Sequence, residues 1–354
     1  MSRRMPTAVA GAALAAVLVA CGTNSGEVSQ ASVPARSGEP AYDVVGSGLD
    51  APWSIAFHRS IPLVSERDSG RIVELDAEGR QREVARIDGV RAVGEGGLLG
   101  LAVHDDSLYA YYTSDEDNRI DRFRIDGEPG AFRLGAAQRV MDGIPAAANH
   151  NGGRIAFGPD GMLYVTTGDA GRPSLSQDRD SLAGKILRIT ADGQVPQDNP
   201  FGDSYVYSYG HRNAQGLAWA PDGTMFASEF GQNTWDELNV IRPGGNYGWP
   251  EVEGIGRRSG YIDPVQQWST REASPSGITV HDGEVVIANL RGERLRRVPT
   301  ADPATATESL TGRAGRLRDA VVAPDGSLWV LTNNTDGRGS PRPDDDRILR
   351  VGGD

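Results

Sequence analysis

The chain has 354 residues, with 36 Lys and Arg against 48 Asp and Glu, for a formal charge of −12. That acidic balance argues against nucleic acid as a partner. The single cysteine, Cys21, excludes a disulfide framework and the C-x-x-C-H haem attachment motif.

Residues 1–21 read as an export signal: Arg3 and Arg4, a run from Ala8 to Ala20 built only of Ala, Val, Leu and one Gly, then Cys21. The run falls short of the roughly 18 apolar residues that a spanning helix needs. Leu18-Val19-Ala20-Cys21 is similar to a bacterial lipobox, in which the cysteine becomes the lipidated first residue of the mature protein. The expectation is an extracytoplasmic protein attached to the cell membrane through a lipid anchor only; a simple secretory signal cut nearby is the alternative. Cleavage would remove two arginines and no acid, leaving −14. Residues 22–40 are small, polar and proline-containing, a composition that cannot bury a core, and predict a flexible tether.

From residue 41 a short pattern recurs: alternating apolar residues, a His or Pro, an Asp-Gly type turn, then a second alternating run, which marks a hairpin. The copies contain Ile55, Leu101, Ile155, Leu217, Ile278 and Val321, spaced by 43 to 62 residues. Each interval has room for about four short strands, the size of a propeller blade, and no blade buries both faces without neighbours. Residues 41–354 therefore predict one closed, all-β, six-bladed propeller of four-stranded antiparallel blades, with no long helix. Leu163–Thr167, Met225–Glu229 and Leu328–Thr332 are candidates for innermost strands. The longest intervals surround blades three and four, and insertions on one face of a repeat fold are where sites gather.

Four strings carry the chemistry: Gly94-Glu95-Gly96-Gly97-Leu98-Leu99-Gly100, His150-Asn151-Gly152-Gly153-Arg154, Gly210-His211-Arg212-Asn213-Ala214-Gln215-Gly216-Leu217, and Gly244-Gly245-Asn246-Tyr247-Gly248-Trp249-Pro250. The first is not a dinucleotide fingerprint, because the third glycine would fall on Leu99. Together, and in this order, they resemble the glucose/sorbosone dehydrogenase family of pyrroloquinoline quinone (PQQ)-binding propellers, over nearly everything from Leu49 to Val351.

The resemblance implies that His150 is the general base, taking the proton of a sugar C1 hydroxyl as hydride leaves. Imidazole has suitable basicity near neutral pH, and a nearby arginine would keep it uncharged. The adjoining glycines are read as letting a ligand approach the backbone. PQQ carries three carboxylates, so a chain this acidic must concentrate positive charge locally. Arg212 and Asn213 match the family's cofactor-contacting pair, with Arg212 also placed to stabilise negative charge on the reduced quinone. Arg316 and Arg318 match its paired arginines, which alternation places on one strand face.

Arg291 stands where well-known members have lysine, in a basic run that a solvated strand face would also explain. Glu95 stands where some members have Gln; facing an anionic cofactor, its carboxylate must be protonated or turned away. The resemblance also implies Ca2+ twice. Carbonyls of Gly231 and Gln232 match ligands of the ion beside PQQ, with Gln232 in place of a proline. Glu237 and the Tyr247 carbonyl match a second, structural ion. A solvated acidic turn is the other reading of Asp236-Glu237.

The expected activity is PQQ- and calcium-dependent oxidation of an aldose C1 hydroxyl to a lactone, with electrons passed to an external acceptor. A propeller that has lost the cofactor and a calcium-dependent lactone hydrolase are the alternatives. Four arginines around one anion argue against hydrolysis, and the joint retention of His150, Arg212, Asn213, Arg316 and Arg318 argues against simple binding.

Overall fold

The computed structural model describes residues 40–352, Met1, and the backbone of Ser32–Val33. The export signal and Cys21 lie outside the described residues, as does most of the tether. Six antiparallel sheets follow one another along the chain. Blade one runs Pro52–His58, Ile61–Glu66, Arg71–Leu75 and Gln81–Arg86. The first strands of blades two to five are Leu98–His104, Ile155–Phe157, Ala214–Trp219 and Pro275–His281.

Blade six takes Leu317–Val322, Leu328–Thr332 and Ile348–Val351 from the C-terminal end and completes itself with Tyr42–Gly46 from the other end of the propeller. Ser32–Val33 adds a further short strand against Tyr42–Asp43. The closing pair, Tyr42 with Val351 and Val44 with Leu349, hydrogen-bonds the two ends of the propeller together within one blade and covers the outer edge of Ile348–Val351. One 3₁₀ turn, Pro173–Ser176, is the only helical element among the described residues, and no helix there is long and apolar enough to cross a membrane.

The apolar alternation divides the core into six layers, one between each pair of neighbouring blades. In Glu284–Asn289, Val285 and Ile287 pack with Phe226 and Leu238 of blade four, while Val286 and Ala288 pack with Leu317 and Val330 of blade six. A blade is thus buried on both faces, and its strands read as nearly continuous apolar runs.

The innermost strand is the first of each blade, the one that packs against the first strands of its neighbours. The candidates Leu163–Thr166, Met225–Glu229 and Leu328–Thr332 are instead second strands. The sixth marker also moves by one: Ala320, opposite Val330, occupies the position of Leu217 opposite Ala227. What the sequence pattern concealed is that inner strands are selected by smallness. A Cβ on Gly100 would lie 2.2 Å from the Gly153 carbonyl oxygen, one on Gly216 would lie 2.4 Å from that of Ser276, and one on Gly277 would lie 1.9 Å from Asp319 Oδ1.

At the equivalent place blades one, three and six carry Ser54, Arg154 and Asp319. Arg154 Nη1 donates to Asp319 Oδ2 at 2.9 Å and to Ser54 Oγ at 3.2 Å, and its Nε donates to the Gln215 carbonyl at 2.9 Å. Asp319 Oδ2 also accepts the Ile55 N–H at 3.1 Å. The Arg154 guanidinium stacks 4.3 Å from the Trp53 ring centroid. Four of six blades are tied to one buried guanidinium. It divides the channel into a cavity of about 500 Å³ on one side, floored by Trp53, and one of about 310 Å³ on the other, lined by Arg154 and Asp319.

Removing one member of a buried ion pair leaves the other charge uncompensated, at a cost of roughly 3–5 kcal/mol. Asp319→Ala is expected to lose about that much stability in urea unfolding. A loss within the range of an ordinary surface substitution would show that the axial pair is not a stabilising contact.

Candidate active site

His150 sits in the loop before the inner strand of blade three, with a positive φ of 57°. Its Nδ1 lies 2.7 Å from Asp169 Oδ1. Asp169 is wholly buried; its Oδ2 accepts the Trp249 indole N–H at 2.9 Å and its Oδ1 accepts the Gly171 N–H at 2.8 Å. Although burial works the other way, those bonds and His150 hold the Asp169 carboxyl below the usual range, so it is ionised and fixes the proton on Nδ1. Nε2 is left as an acceptor. Arg212 Nη2 donates to it at 2.9 Å, and Asn149 Nδ2 lies 3.3 Å away.

The two loops can meet only because of glycine. A Cβ on Gly168 would be 1.8 Å from the His150 carbonyl oxygen, and one on Gly152, at φ 62°, would be 2.5 Å from that of Thr166. These glycines serve contact between the His150 and Asp169 loops, which differs from the expected approach of a ligand to the backbone.

His150 opens on the 500 Å³ cavity, whose walls also include Arg212, Asn213, Gly231, Gln232, Arg291, Arg316, Arg318 and Glu95. The fold thus gathers nine of the eleven sequence candidates; Glu237 and Tyr247 lie elsewhere. Arg318 is buried, donating to Gln215 Oε1 at 2.9 Å and Asn333 Oδ1 at 3.1 Å. Burial pushes it down to about 9, with Asp336 opposing and Arg316, Arg67 and Arg154 adding to the shift. Arg316 Nη2 lies 3.3 Å from Asp336 Oδ2, and Arg318 Nη2 lies 3.7 Å from the same atom. Burial likewise lowers Arg212.

Arg291 is exposed at the mouth, its Nη1 3.4 Å from the Thr270 carbonyl. The rest of its run is engaged elsewhere: Arg294 and Arg296 pair with Glu308, and Arg297 with Glu284. Glu95 is turned aside, with Oε2 accepting the His150 N–H at 2.9 Å and Oε1 lying 3.2 Å from Arg338 Nη1.

Four buried donors around this cavity have no partner among the described residues: Nε of Arg212, Arg316 and Arg318, and Nδ2 of Asn213. Buried polar groups are normally satisfied. This donor set, with Arg67 and Arg338 beside it, suits a compact polyanion such as the tricarboxylate PQQ.

The calcium candidates divide in two. Gly231 and Gln232 line the main cavity next to Asp236, and no described donor reaches their carbonyl oxygens. Glu237 and Tyr247 line a second space of about 10 Å³ with Glu229 and Glu253, sharing Arg212 and Gly231 with the main cavity, room for one water-sized species. Burial and the neighbouring Glu229 push the Glu237 carboxyl up to about 8, an environment that a cation would relieve. Among the described residues no three His, Cys, Asp or Glu side chains form a ready metal cluster, so a fit at either place needs backbone oxygens as well.

Asp169, Gln215, Arg67, Asp336 and Arg338 were missed by sequence reasoning. Asp169 did leave a signal: an acid in the Gly168-Asp169-Ala170-Gly171 turn directly after a strand, with Ala170 at φ 51°. Gln215 lies on the inner strand Ala214–Trp219, within the string that holds Arg212 and Asn213, while Arg67, Asp336 and Arg338 lie on loops with no pattern of their own.

Although burial would raise the Asp336 carboxyl, Arg316 and Arg318 hold it below its ordinary value of 3.8. For a depressed carboxylate, the stability it contributes is present above the unfolded value and is lost as pH falls through the folded one. Asp336→Asn is accordingly expected to flatten the fall in melting temperature below about pH 4; curves of equal slope would mean that the pairing is not linked to folding.

A family model for glucose/sorbosone dehydrogenase matches residues 49–349. The PQQ-bound structure of an aldose sugar dehydrogenase from Streptomyces coelicolor is 51% identical, with a TM-score of 0.84, covering 92% of this chain and 99% of that one. Aldose sugar dehydrogenase YliI of Escherichia coli is 28% identical over 85% of this chain and 83% of its own length. Quinoprotein glucose dehydrogenase B of Acinetobacter calcoaceticus is 33% identical over 68% and 59%. With the match running through all six blades, the chain belongs to the glucose/sorbosone dehydrogenase family.

Proposed function

We propose that this protein is a PQQ- and calcium-dependent aldose dehydrogenase that oxidises the C1 hydroxyl of a sugar to the lactone and hands the electrons to an external acceptor. The observation that carries the proposal is the pairing of an oriented histidine with an arginine-lined cavity: Asp169 holds the Nδ1 proton, so Nε2 faces the cavity as a base. The relatives named for PQQ and for aldose sugars support it.

Nε2 accepts the C1 hydroxyl proton as hydride leaves C1, and the resulting imidazolium is balanced by Asp169. A substrate hydroxyl displaces the bonds that Arg212 and Asn149 now make to that nitrogen. PQQ, when bound, supplies the two-electron acceptor for the hydride. Arg316, Arg318, Arg212 and Asn213 would hold it, and Arg212 sits beside His150, where negative charge develops. Gly231 and Gln232 would contribute oxygens to a calcium ion at the same cavity, and Glu237 with Tyr247 to a structural one. Glu95 acts on this reading by bracing the His150 loop, and Arg291 by guarding the mouth.

The Cys21 lipobox supports export and attachment to the membrane by lipid alone, and the absence of a haem motif in the sequence supports a separate electron-accepting partner.

Apo protein given PQQ and calcium together is expected to reduce dye with glucose and other aldoses, and to do so with neither alone. His150→Ala is expected to fold and bind PQQ while losing about 10²–10⁴ in turnover. Near-normal turnover of the PQQ-loaded variant would overturn the mechanism. Arg318→Ala is expected to weaken PQQ binding by roughly 1.5–3 kcal/mol, the worth of a charge-assisted bond, in a direct titration; equal affinities would place Arg318 outside the cofactor site.

A further inference from the structure

Glu253, in the loop after Trp249-Pro250, has one oxygen that collects a whole turn. Its Oε1 accepts the backbone N–H of Gln232 at 2.7 Å, Asn233 at 3.1 Å, Thr234 at 3.1 Å and Trp235 at 3.2 Å. Four successive amides thus form a nest of N–H groups converging on a single carboxylate oxygen.

In a planar trans peptide the C=O of one residue points opposite to the N–H of the next. The N–H of Gln232 directed at Glu253 therefore turns the Gly231 carbonyl away from it, and the N–H of Asn233 does the same for the Gln232 carbonyl. Both residues line the active-site cavity, and Gly231 also borders the small Glu237 space, whereas Glu253 lies behind the turn and lines the small space without reaching the main cavity. Gly231 is needed for this packing, because a Cβ there would stand 1.7 Å from the Trp235 carbonyl oxygen and 2.8 Å from Glu253 Oε1. Asp236 Oδ1 fixes the first amide of the turn by accepting the Gly231 N–H at 2.8 Å.

We infer that Glu253 is a positioning residue that aims the Gly231 and Gln232 carbonyls at the cavity and, through its charge, strengthens them as ligands for a divalent cation. The inference rests on the calcium-dependent reading above. It touches neither substrate nor cofactor. Outer-shell partners of this kind commonly govern 10–100-fold in metal affinity.

The test is the calcium concentration at which the full-length apo protein takes up PQQ, followed by PQQ absorbance in calcium–EGTA buffers, with melting temperature in EGTA measured on the same samples. PQQ uptake reports the ion at the cavity rather than one beside Glu237. Glu253→Ala is expected to raise the calcium midpoint by about 10–100-fold. Glu253→Gln, which keeps an acceptor oxygen but not the charge, is expected to give a smaller rise with an EGTA melting temperature close to the parent's. Should Glu253→Ala not fold, the rise in Glu253→Gln decides alone. PQQ uptake by the parent that is independent of calcium would sink the calcium reading. A calcium-dependent parent whose midpoint is unchanged in the folded variants would overturn the role of Glu253.

Discussion

Six blades converging on one axis leave no room for a side chain at one level of three inner strands and leave a space for polar side chains at the same level of the other three. Glycine at 100, 216 and 277 meets the first demand; Ser54, Arg154 and Asp319 meet the second. The Arg154 charge could not be buried there without Asp319, since an unpaired ion in such a place is far too costly. Asp319 in turn reaches blade one through the Ile55 N–H. Trp53 lies on the Arg154 guanidinium and also forms part of the cavity floor, with Arg318 5.7 Å from its ring centroid. The site is built on the axial pair, and a change there would be felt first by the arginines above it.

The fold was readable because propeller physics writes itself into sequence at a period of blade length: each strand must bury both faces, so apolar alternation returns six times with its turn signals. The blade interior was harder. The first strands carry glycine for steric reasons and look weak by strand propensity, while the second strands, such as Leu163–Thr166, are richly apolar and looked innermost. Arg154 was visible as the last residue of the His150 string, but nothing local distinguishes an axial plug from a cofactor ligand. Its partner is 165 residues away.

For the site, the readable residues were those embedded in glycine-rich strings, where a backbone needing φ > 0 or close approach restricts the sequence around the functional group. His150, Arg212 and Asn213 are of this kind. Arg67 and Asp336 are not: Arg67 lines the cavity and Asp336 pairs with Arg316 and Arg318 from loops outside any such string, and their role comes only from the ring closing on itself. Glu95 shows how a single sequence position can mislead. Its charge is wrong for an anion contact, but the carboxylate faces Arg338 and the His150 amide, where a negative charge is favourable.

That arrangement repeats around the cavity. Glu229 accepts the Arg212 N–H, Asp236 those of Gly231 and Ser274, Asp169 that of Gly171, and Glu253 four in succession. The loops that present His150, Arg212, Gly231 and Gln232 are each held by a buried or half-buried carboxylate binding their amides. A polyanion site in an acidic protein is then less of a contradiction than the composition suggests. The arginine side chains line the cavity, the carboxylates spend their acceptor capacity on backbone donors behind it, and the same acids offset the repulsion of guanidinium groups brought close together. Asp336 between Arg316 and Arg318 does this most directly. Four donors left without partners among the described residues lie at the cavity, so the anion meets a surface whose geometry is fixed before it arrives, and little ordering is left to oppose its binding.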